Sequence, residues 1–308
     1  MSHELPATIR QLLEHWLVAN GAGNRGEAQA LTASYKQGDN SAAVSLNAYL
    51  TTRMPATFAA VSAVLDQVSQ VAIGFAPTSL LDIGAGPGTA SMAAQVAWPS
   101  LKSITLVEAD QRFAALATYL NSQAKVLRQY MSATNEKADA VIAAYIFAEL
   151  PEREAAGSAL KLWAQASDML IIVEPGTPKG FARIRAARET LIKSGAHLIG
   201  PCTHAKACPM MGTDWCHFKT RLPRSRAHMQ AKSATVPFED ESFSWLAVSR
   251  HAYEVPKFRI IAPPIVNKVA ATFKTCGAAG LSQSVIASRD KPAYKLARNM
   301  KWGDGLDV

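Results

Sequence analysis

Long apolar runs are missing from this sequence. No stretch of its 308 residues approaches the ~18 uninterrupted apolar positions that a membrane-spanning helix needs, so no membrane partner is expected. The opening, Met1 to Pro6, has no basic segment followed by an apolar core. No secretory signal is read there, and the expected compartment is cytoplasmic. Cysteine is scarce: there are four, and in a reducing compartment they argue against structural disulfides. No internal repeat and no low-complexity segment is found. With 49% hydrophobic residues the chain is not intrinsically disordered.

Charge is modest in amount but uneven in place. Residues 1–178 hold 11 Lys+Arg against 15 Asp+Glu, a net of −4; residues 179–308 hold 21 against 9, a net of +12. A basic half joined to a mildly acidic half points to a polyanion, with nucleic acid the first candidate.

At ~100–200 residues per domain the length suggests two domains, or one large domain with an elaboration. Residues 1–75 read as an N-terminal helical region, with helices over 5–19, 26–37 and 42–70, the last interrupted near Pro55, which starts a helix. Residues 76–198 alternate strand and helix. Strands are expected at 78–83, 103–108, 138–145 and 168–174, and helices at 88–97, 110–124, 152–166 and 179–195. That alternation argues for a parallel sheet with crossover helices, an α/β Rossmann-like fold. Residues 199–308 hold a Cys-rich insert of little periodicity (200–228), final strands at 242–253, 258–265 and 283–289, a segment at 265–276 readable as helix or strand, and a basic, irregular tail.

The first strand runs into Leu80-Leu-Asp-Ile-Gly-Ala-Gly-Pro-Gly-Thr, with glycines at 84, 86 and 88. Glycine lets a backbone turn sharply and approach a ligand, and helix-start N–H groups then face it. Glu108, at the end of the next strand, is placed to accept hydrogen bonds from two ribose hydroxyls. A dinucleotide loop would carry its third glycine one position later, and the Gly-Lys-Ser/Thr of a phosphate loop is absent. The pattern Asp-x-Gly-x-Gly-x-Gly resembles motif I of the S-adenosylmethionine-dependent methyltransferases. That resemblance implies that Asp82 orders the loop, that Gly84, Ala85, Gly86 and Gly88 line the methionine and ribose portion, and that Glu108 holds the ribose. The strand end from Ala143, with Tyr145, would border the methyl donor. There is no Asn/Asp-Pro-Pro-Tyr signature. Pro201-Cys202 and Thr275-Cys276 lie too far along the chain to serve as strand-end nucleophiles, so the catalytic residue is left unassigned.

All four cysteines, Cys202, Cys208, Cys216 and Cys276, fall in the basic half as C-x5-C-x7-C-x59-C. Four thiolates satisfy a tetrahedral zinc ion or an iron–sulfur cluster, and this spacing matches neither common zinc fingers nor ferredoxin runs. His204 and His217 are further candidate ligands. The C-x3-C-x2-C of a radical enzyme is absent. The words around the cysteines, Gly200-Pro-Cys-Thr-His-Ala-Lys-Ala-Cys-Pro and Asp214-Trp-Cys-His-Phe-Lys-Thr-Arg-Leu-Pro-Arg, resemble the small-ribosomal-subunit methyltransferase-like family. So do Val173-Glu-Pro-Gly-Thr-Pro and the closing segment from Arg289. The resemblance, over residues ~45–305, implies a 4Fe–4S cluster on the four cysteines and a role on small-subunit ribosomal RNA. A zinc-containing methyltransferase and a non-catalytic RNA-binding assembly factor are the alternatives.

Lys219, Arg221, Arg224 and Arg226 cluster after the third cysteine, and Lys291, Lys295 and Arg298 near the end. These are the expected RNA contacts, since Arg engages phosphate bidentately and Lys as a point charge. For Trp215, Phe218, Tyr294 and Trp302, packing is favoured over base stacking. The expected state is a monomer.

Overall fold

The structure, a computed structural model, describes residues 3–21, 23–37, 45–210 and 212–307. Three helices lead in: α1 (Ala7–Asn20), α2 (Arg25–Gln37) and the short α3 (Leu46–Ala48). A π-helical turn, Tyr49–Arg53, follows, and then α4 (Met54–Val71) with Pro55 in its first turn, as its fixed φ favours. The interruption expected near Pro55 within 42–70 is thus the π-helical turn just before α4, and residues 42–44 lie outside those described. Helix α4 is apolar nearly all round. Met54, Phe58, Val61, Val64, Leu65 and Val68 are all buried, in one core with Leu80, Ile142, Ile171 and Trp245 of the sheet.

The main sheet is laid down in alternation with helices. The elements are β1 (Ser79–Ile83), α5 (Thr89–Ala97), β2 (Ser103–Val107), α6 (Gln111–Leu120), β3 (Lys125–Leu127), β4 (Ala138–Ala144), α7 (Ala155–Gln165), β5 (Ala166–Pro175), α8 (Pro178–Lys193) and β6 (His197–Gly200). Next come β7 (Phe218–Pro223), α9 (Arg226–Lys232) and β8 (Phe238–Ser249). The spatial order is β3-β2-β1-β4-β5-β8-β6, with β7 also paired to β8. Strands β1 to β5 pair in parallel, while β8 is antiparallel to β5, β6 and β7. The 3-2-1-4-5 order is that of a doubly wound sheet, and its direction reverses between β1 and β4, where such folds bind ligands. Both faces are covered, which explains continuous apolar strands such as Met169–Val173.

A second sheet of five strands closes the chain: β9 (Phe258–Ile260), β10 (Ile265–Val266), β11 (Ala270–Gly277), β12 (Gly280–Ala287) and, after α10 (Lys291–Ala297), β13 (Gly305–Leu306). The ambiguous segment 265–276 is therefore strand. The tail read as irregular contains α10, which Asp290 caps by accepting from the Ala293 amide, with Pro292 in the first turn. The insert of little periodicity contains β7, whose residues alternate strictly between buried and exposed.

Ile171 is fully buried at the centre of the sheet, between Ile142 of β4 and Ala247 of β8. Ile171→Ala is expected to cost about 2–5 kcal/mol, read as a lowered urea midpoint at unchanged slope.

Candidate functional site

Strand β1 delivers the chain to a turn in which Gly84, Gly86 and Gly88 have φ of +65°, +54° and +84°. Glycine is required at the two ends for space as well as for φ. A Cβ on Gly84 would lie 2.6 Å from the Ile146 side chain, and one on Gly88 would lie 2.4 Å from the Asn121 amide nitrogen. The Gly84 and Ala85 amides donate to the Val107 carbonyl at 2.9 and 3.1 Å, which fastens the turn to the end of β2. The Gly86 amide donates to one oxygen of Glu108 and the Asp110 amide to the other, both at 2.8 Å. Each carboxylate oxygen keeps a lone pair for a further donor. Burial pushes the Glu108 carboxyl up. Asp82 is buried beneath the turn, where it accepts from the Ser91 amide (3.0 Å) and hydroxyl (2.8 Å) of α5.

Gly84, Gly86, Glu108 and Tyr145 line one cleft, joined there by Tyr49, Phe113 and Gln129. Asp82, Ala85 and Gly88 stand behind the wall and shape it without lining it. Tyr145, just after β4, has φ +65°, unusual for a side chain of its size. Its hydroxyl donates to Glu241 at 3.0 Å, and Arg53 grips both oxygens of Glu241 at 3.2 and 3.1 Å with its guanidinium 5.1 Å from the Tyr145 ring centre. The phenol is therefore turned inward, and the cleft meets the ring and backbone of Tyr145. Tyr49 packs edge-on against Phe113 at 5.1 Å, and burial pushes its hydroxyl up to about 12, so it stands as a neutral donor. Tyr49, Arg53 and Glu241 were not legible in the sequence. The first two sit in a stretch read only as helix, and Glu241 acts across 96 residues on Tyr145.

The four cysteines converge on a second cavity behind the sheet's far end. Cys202 and Cys208 come from the loop after β6, Cys216 from just before β7, and Cys276 from β11; all four line the cavity with Arg188, His204 and Arg259. Burial raises the Cys202, Cys216 and Cys276 thiols, the last to about 12, and Cys202, Cys208 and Cys276 each push Cys216 further up. Arg188 of α8 donates through Nε to Cys202 Sγ at 3.2 Å. His204 Nε2 lies 3.9 Å from Cys276 Sγ, while its Nδ1 is buried without a partner. Among the described residues no group of three or more His, Cys, Asp or Glu is placed to hold a metal ion. The expected zinc or cluster is thus not seen as a formed ligand set, and the four expected ligands line one cavity. A zinc site would bring thiolates to about 3.8 Å of one another, given bonds of about 2.3 Å. A four-iron cluster spreads its ligands wider.

With fold and cavities in view, the comparisons with known proteins decide the family. The family model described as mitochondrial small ribosomal subunit Rsm22 matches residues 43–307. The chain belongs to the Rsm22 family. Human "Ribosome assembly protein METTL17, mitochondrial" is 24% identical over 84% of this chain, and the fission yeast "Rsm22-cox11 tandem protein 2, mitochondrial" 25% over 83%. This Rsm22-family chain spans 62% and 42% of those relatives' own lengths. Among solved structures, magnesium protoporphyrin IX methyltransferase from Synechocystis is similar at a TM-score of 0.44 and 12% identity, over 73% of this chain and 97% of that one. The plantazolicin methyltransferase BpumL gives 0.41 and 13%, over 80% and 100%. The fold assignment rests on strand order and direction, not on these likenesses. The relatives are named as mitochondrial, whereas the expectation from the sequence was cytoplasmic; among the described residues no helix is long and apolar enough to cross a membrane.

The basic residues divide into two groups. Arg221 is exposed but pairs with Asp240 at 2.7 Å and covers the Phe238 ring at 3.9 Å. Arg224 is drawn into a cluster in which Glu239 accepts from Arg224 (3.3 Å) and Lys232 (2.5 Å) and lies 2.9 Å from Nε2 of buried His228. These two arginines are engaged by carboxylates of β8, which the sequence places too far away to suggest it. Lys219 lies 5.9 Å from the Trp302 ring centre. Arg226, Lys291, Lys295 and Arg298 are exposed, with no carboxylate in salt-bridge reach among the described residues. Phe218 is buried, Trp215 donates to the Gly176 carbonyl at 2.9 Å, and Tyr294 donates to the Asn267 carbonyl, so each has a packing role.

Burial lifts Asp82 to about 6 from an ordinary 3.8, against the hydrogen bonds from Ser91 that lower it. Its folded pKa thus exceeds its unfolded one. The resulting stabilisation is full below pH ~4 and is lost as pH rises to about 6. Asp82→Asn keeps an acceptor for Ser91 and is expected to flatten this part of the stability–pH curve. Urea melts at pH 4.5 and 7.5 check it.

Proposed function

We propose that this chain is an S-adenosylmethionine-binding, 4Fe–4S-containing protein that acts, as a monomer, on the ribosomal RNA of the small subunit during ribosome assembly or translation. The observation that carries the reading is the convergence of the chain's only four cysteines on one cavity, in a member of the Rsm22 family. Its relatives are named as a ribosome assembly protein and as an Rsm22-cox11 tandem protein.

The cleft offers what a nucleoside with a charged amino-acid tail requires. Gly84 and Gly86 leave the loop backbone open to close approach, and Glu108 presents free lone pairs at ribose height. Asp82 tethers the loop to α5, Ala85 and Gly88 complete its turn, and Tyr145 forms the wall beyond β4. The cysteine cavity supplies four sulfur donors, two guanidiniums and an orphaned imidazole nitrogen, a donor set suited to an anionic metal–sulfur centre. Once bound, a cluster supplies a cross-link between chain segments about sixty residues apart. Cys202, Cys208 and Cys216 would be tied to Cys276, and thus the insert to the second sheet. With four protein ligands no iron site is left open. Lys219, Arg226, Lys291, Lys295 and Arg298 are the residues available to phosphate, with Arg221 and Arg224 joining only if they exchange their carboxylates. The inward-turned Tyr145 phenol favours a second reading in which the cleft binds the cofactor without transferring its methyl group.

Anaerobic purification followed by iron and sulfide assay tests the metal assignment. Four of each per chain, with absorbance near ~400 nm, is expected; one zinc and a colourless protein contradicts it. For the cleft, Gly86→Val has room for its Cβ, 3.6 Å from the Tyr49 hydroxyl, but sets a β-branched residue at φ +54° and so strains the turn, and its retained fold is checked first by circular dichroism. Calorimetry should then find no binding of S-adenosylmethionine, and unchanged affinity would remove the pocket assignment. Reversing Lys291, Lys295 and Arg298 to Glu is expected to make the salt dependence of small-subunit RNA binding shallower by about 2 in log–log slope. A slope that does not move rules out phosphate contacts at these positions.

A further inference from the structure

The cysteine cavity contains more positive charge than its protein surroundings neutralise. Arg188 and Arg259 are both buried in its wall. Among the described residues none of their hydrogen-bond partners is a carboxylate. Arg188 donates to the carbonyls of His204 and Lys206 and, through Nε, to Cys202 Sγ. Arg259 donates to the carbonyls of Pro201 (3.0 Å) and Gly303 (2.9 Å) and to the side-chain oxygen of Gln67 (3.4 Å). Its Nη2 is buried with no hydrogen-bond partner among the described residues. Among the described residues no carboxylate lies within 4.0 Å of either guanidinium; Asp304 and Asp307 act on Arg259 only from beyond that distance.

Arginine does not escape burial by losing its proton, so a buried guanidinium needs an anion. Two of them converge here on four cysteine sulfurs, which become thiolates when a metal binds them. Four thiolates around an oxidised four-iron cluster carry the charge of a dianion, which two guanidiniums balance. We infer that Arg188 and Arg259 are the counter-charges of the sulfur-ligated centre, and that their positive charge raises the centre's reduction potential, Arg188 acting from its N–H···S contact with Cys202. The inference rests on the cluster reading above. It makes both arginines positioning residues that touch the ligands and their loop rather than the metal. A cation near the cluster, and a hydrogen bond to a ligand sulfur, both favour the more negative reduced state and so raise the potential.

The test uses the full chain, purified without oxygen, with iron and sulfide assayed and the cluster titrated with dithionite under spectroscopic control. Arg188→Gln, Arg188→Lys and Arg259→Gln are compared with wild type. Loss of either charge is expected to shift the reduction equilibrium at least tenfold toward the oxidised form, a fall of about 59 mV for one electron. Arg188→Lys, which keeps the charge, should stay within threefold of wild type. A purely structural role for Arg188 in holding the His204 and Lys206 carbonyls would not produce this difference between Gln and Lys. If Arg188→Gln retains no iron, Arg259→Gln supplies the potential, since its side chain donates to no sulfur. Glutamine variants that keep the cluster and titrate within twofold of wild type overturn the inference and leave the cluster reading intact. Wild-type protein that binds no iron overturns both.

Discussion

Both cavities depend on the antiparallel seating of β8 between β5 and β6. Near its start, Glu241 reaches across to hold Arg53 and the Tyr145 hydroxyl, fixing the inner wall of the glycine-loop cleft. Three residues later the Ser244 hydroxyl donates to the Cys216 carbonyl at 2.8 Å, and then Trp245 and Leu246 form part of the cysteine cavity. One strand of twelve residues therefore shapes two sites that chain order keeps far apart. Its register is well specified because Phe243, Trp245, Leu246, Ala247 and Val248 are all buried, so a slip of one residue would reverse every one of them.

The two sites differ in how they carry buried charge. Around the cleft, Arg53 and Glu241 form a two-pronged pair whose mutual attraction offsets their removal from water, with Tyr145 completing the hydrogen bonds. Around the cysteines, two guanidiniums have no carboxylate partner among the described residues. The first arrangement is complete within the protein; the second is completed by an anion, which under the proposal above is the sulfur-ligated centre. The same logic explains the raised thiols. Burial and the three neighbouring sulfurs push the Cys216 thiol up, against the opposing pull of Arg259.

Much of the central fold could be read from local pattern. The alternation of apolar strands with amphipathic helices from residue 78 to 193 emerges as the parallel sheet, and Asp82, the glycines and Glu108 meet at the carboxyl ends of β1 and β2. The four cysteines do share a cavity, although nothing in their spacing specified its geometry. What escaped the sequence is long-range. Tyr49 and Arg53 look like ordinary helix residues, and only the packing of α4 against the sheet carries them to the cleft. Glu241, Arg188 and Arg259 acquire meaning only from partners tens of residues away. Arg221 and Arg224 looked available to phosphate because Asp240 and Glu239 lie across a hairpin that the unpatterned stretch before it concealed. The basic tail looked irregular because α10 is a single short helix held by a cap and a proline rather than by periodicity.

The central claim is that four sulfurs and two guanidiniums enclose one anionic iron–sulfur centre at the end of β8. A crystal structure of anaerobically purified protein, with anomalous data at the iron edge, addresses it most directly. The account expects one compact iron peak bonded to the sulfurs of residues 202, 208, 216 and 276, with Arg188 and Arg259 flanking it. A cavity holding a single zinc ion, or a Cys276 sulfur pointing away from the other three, would contradict it.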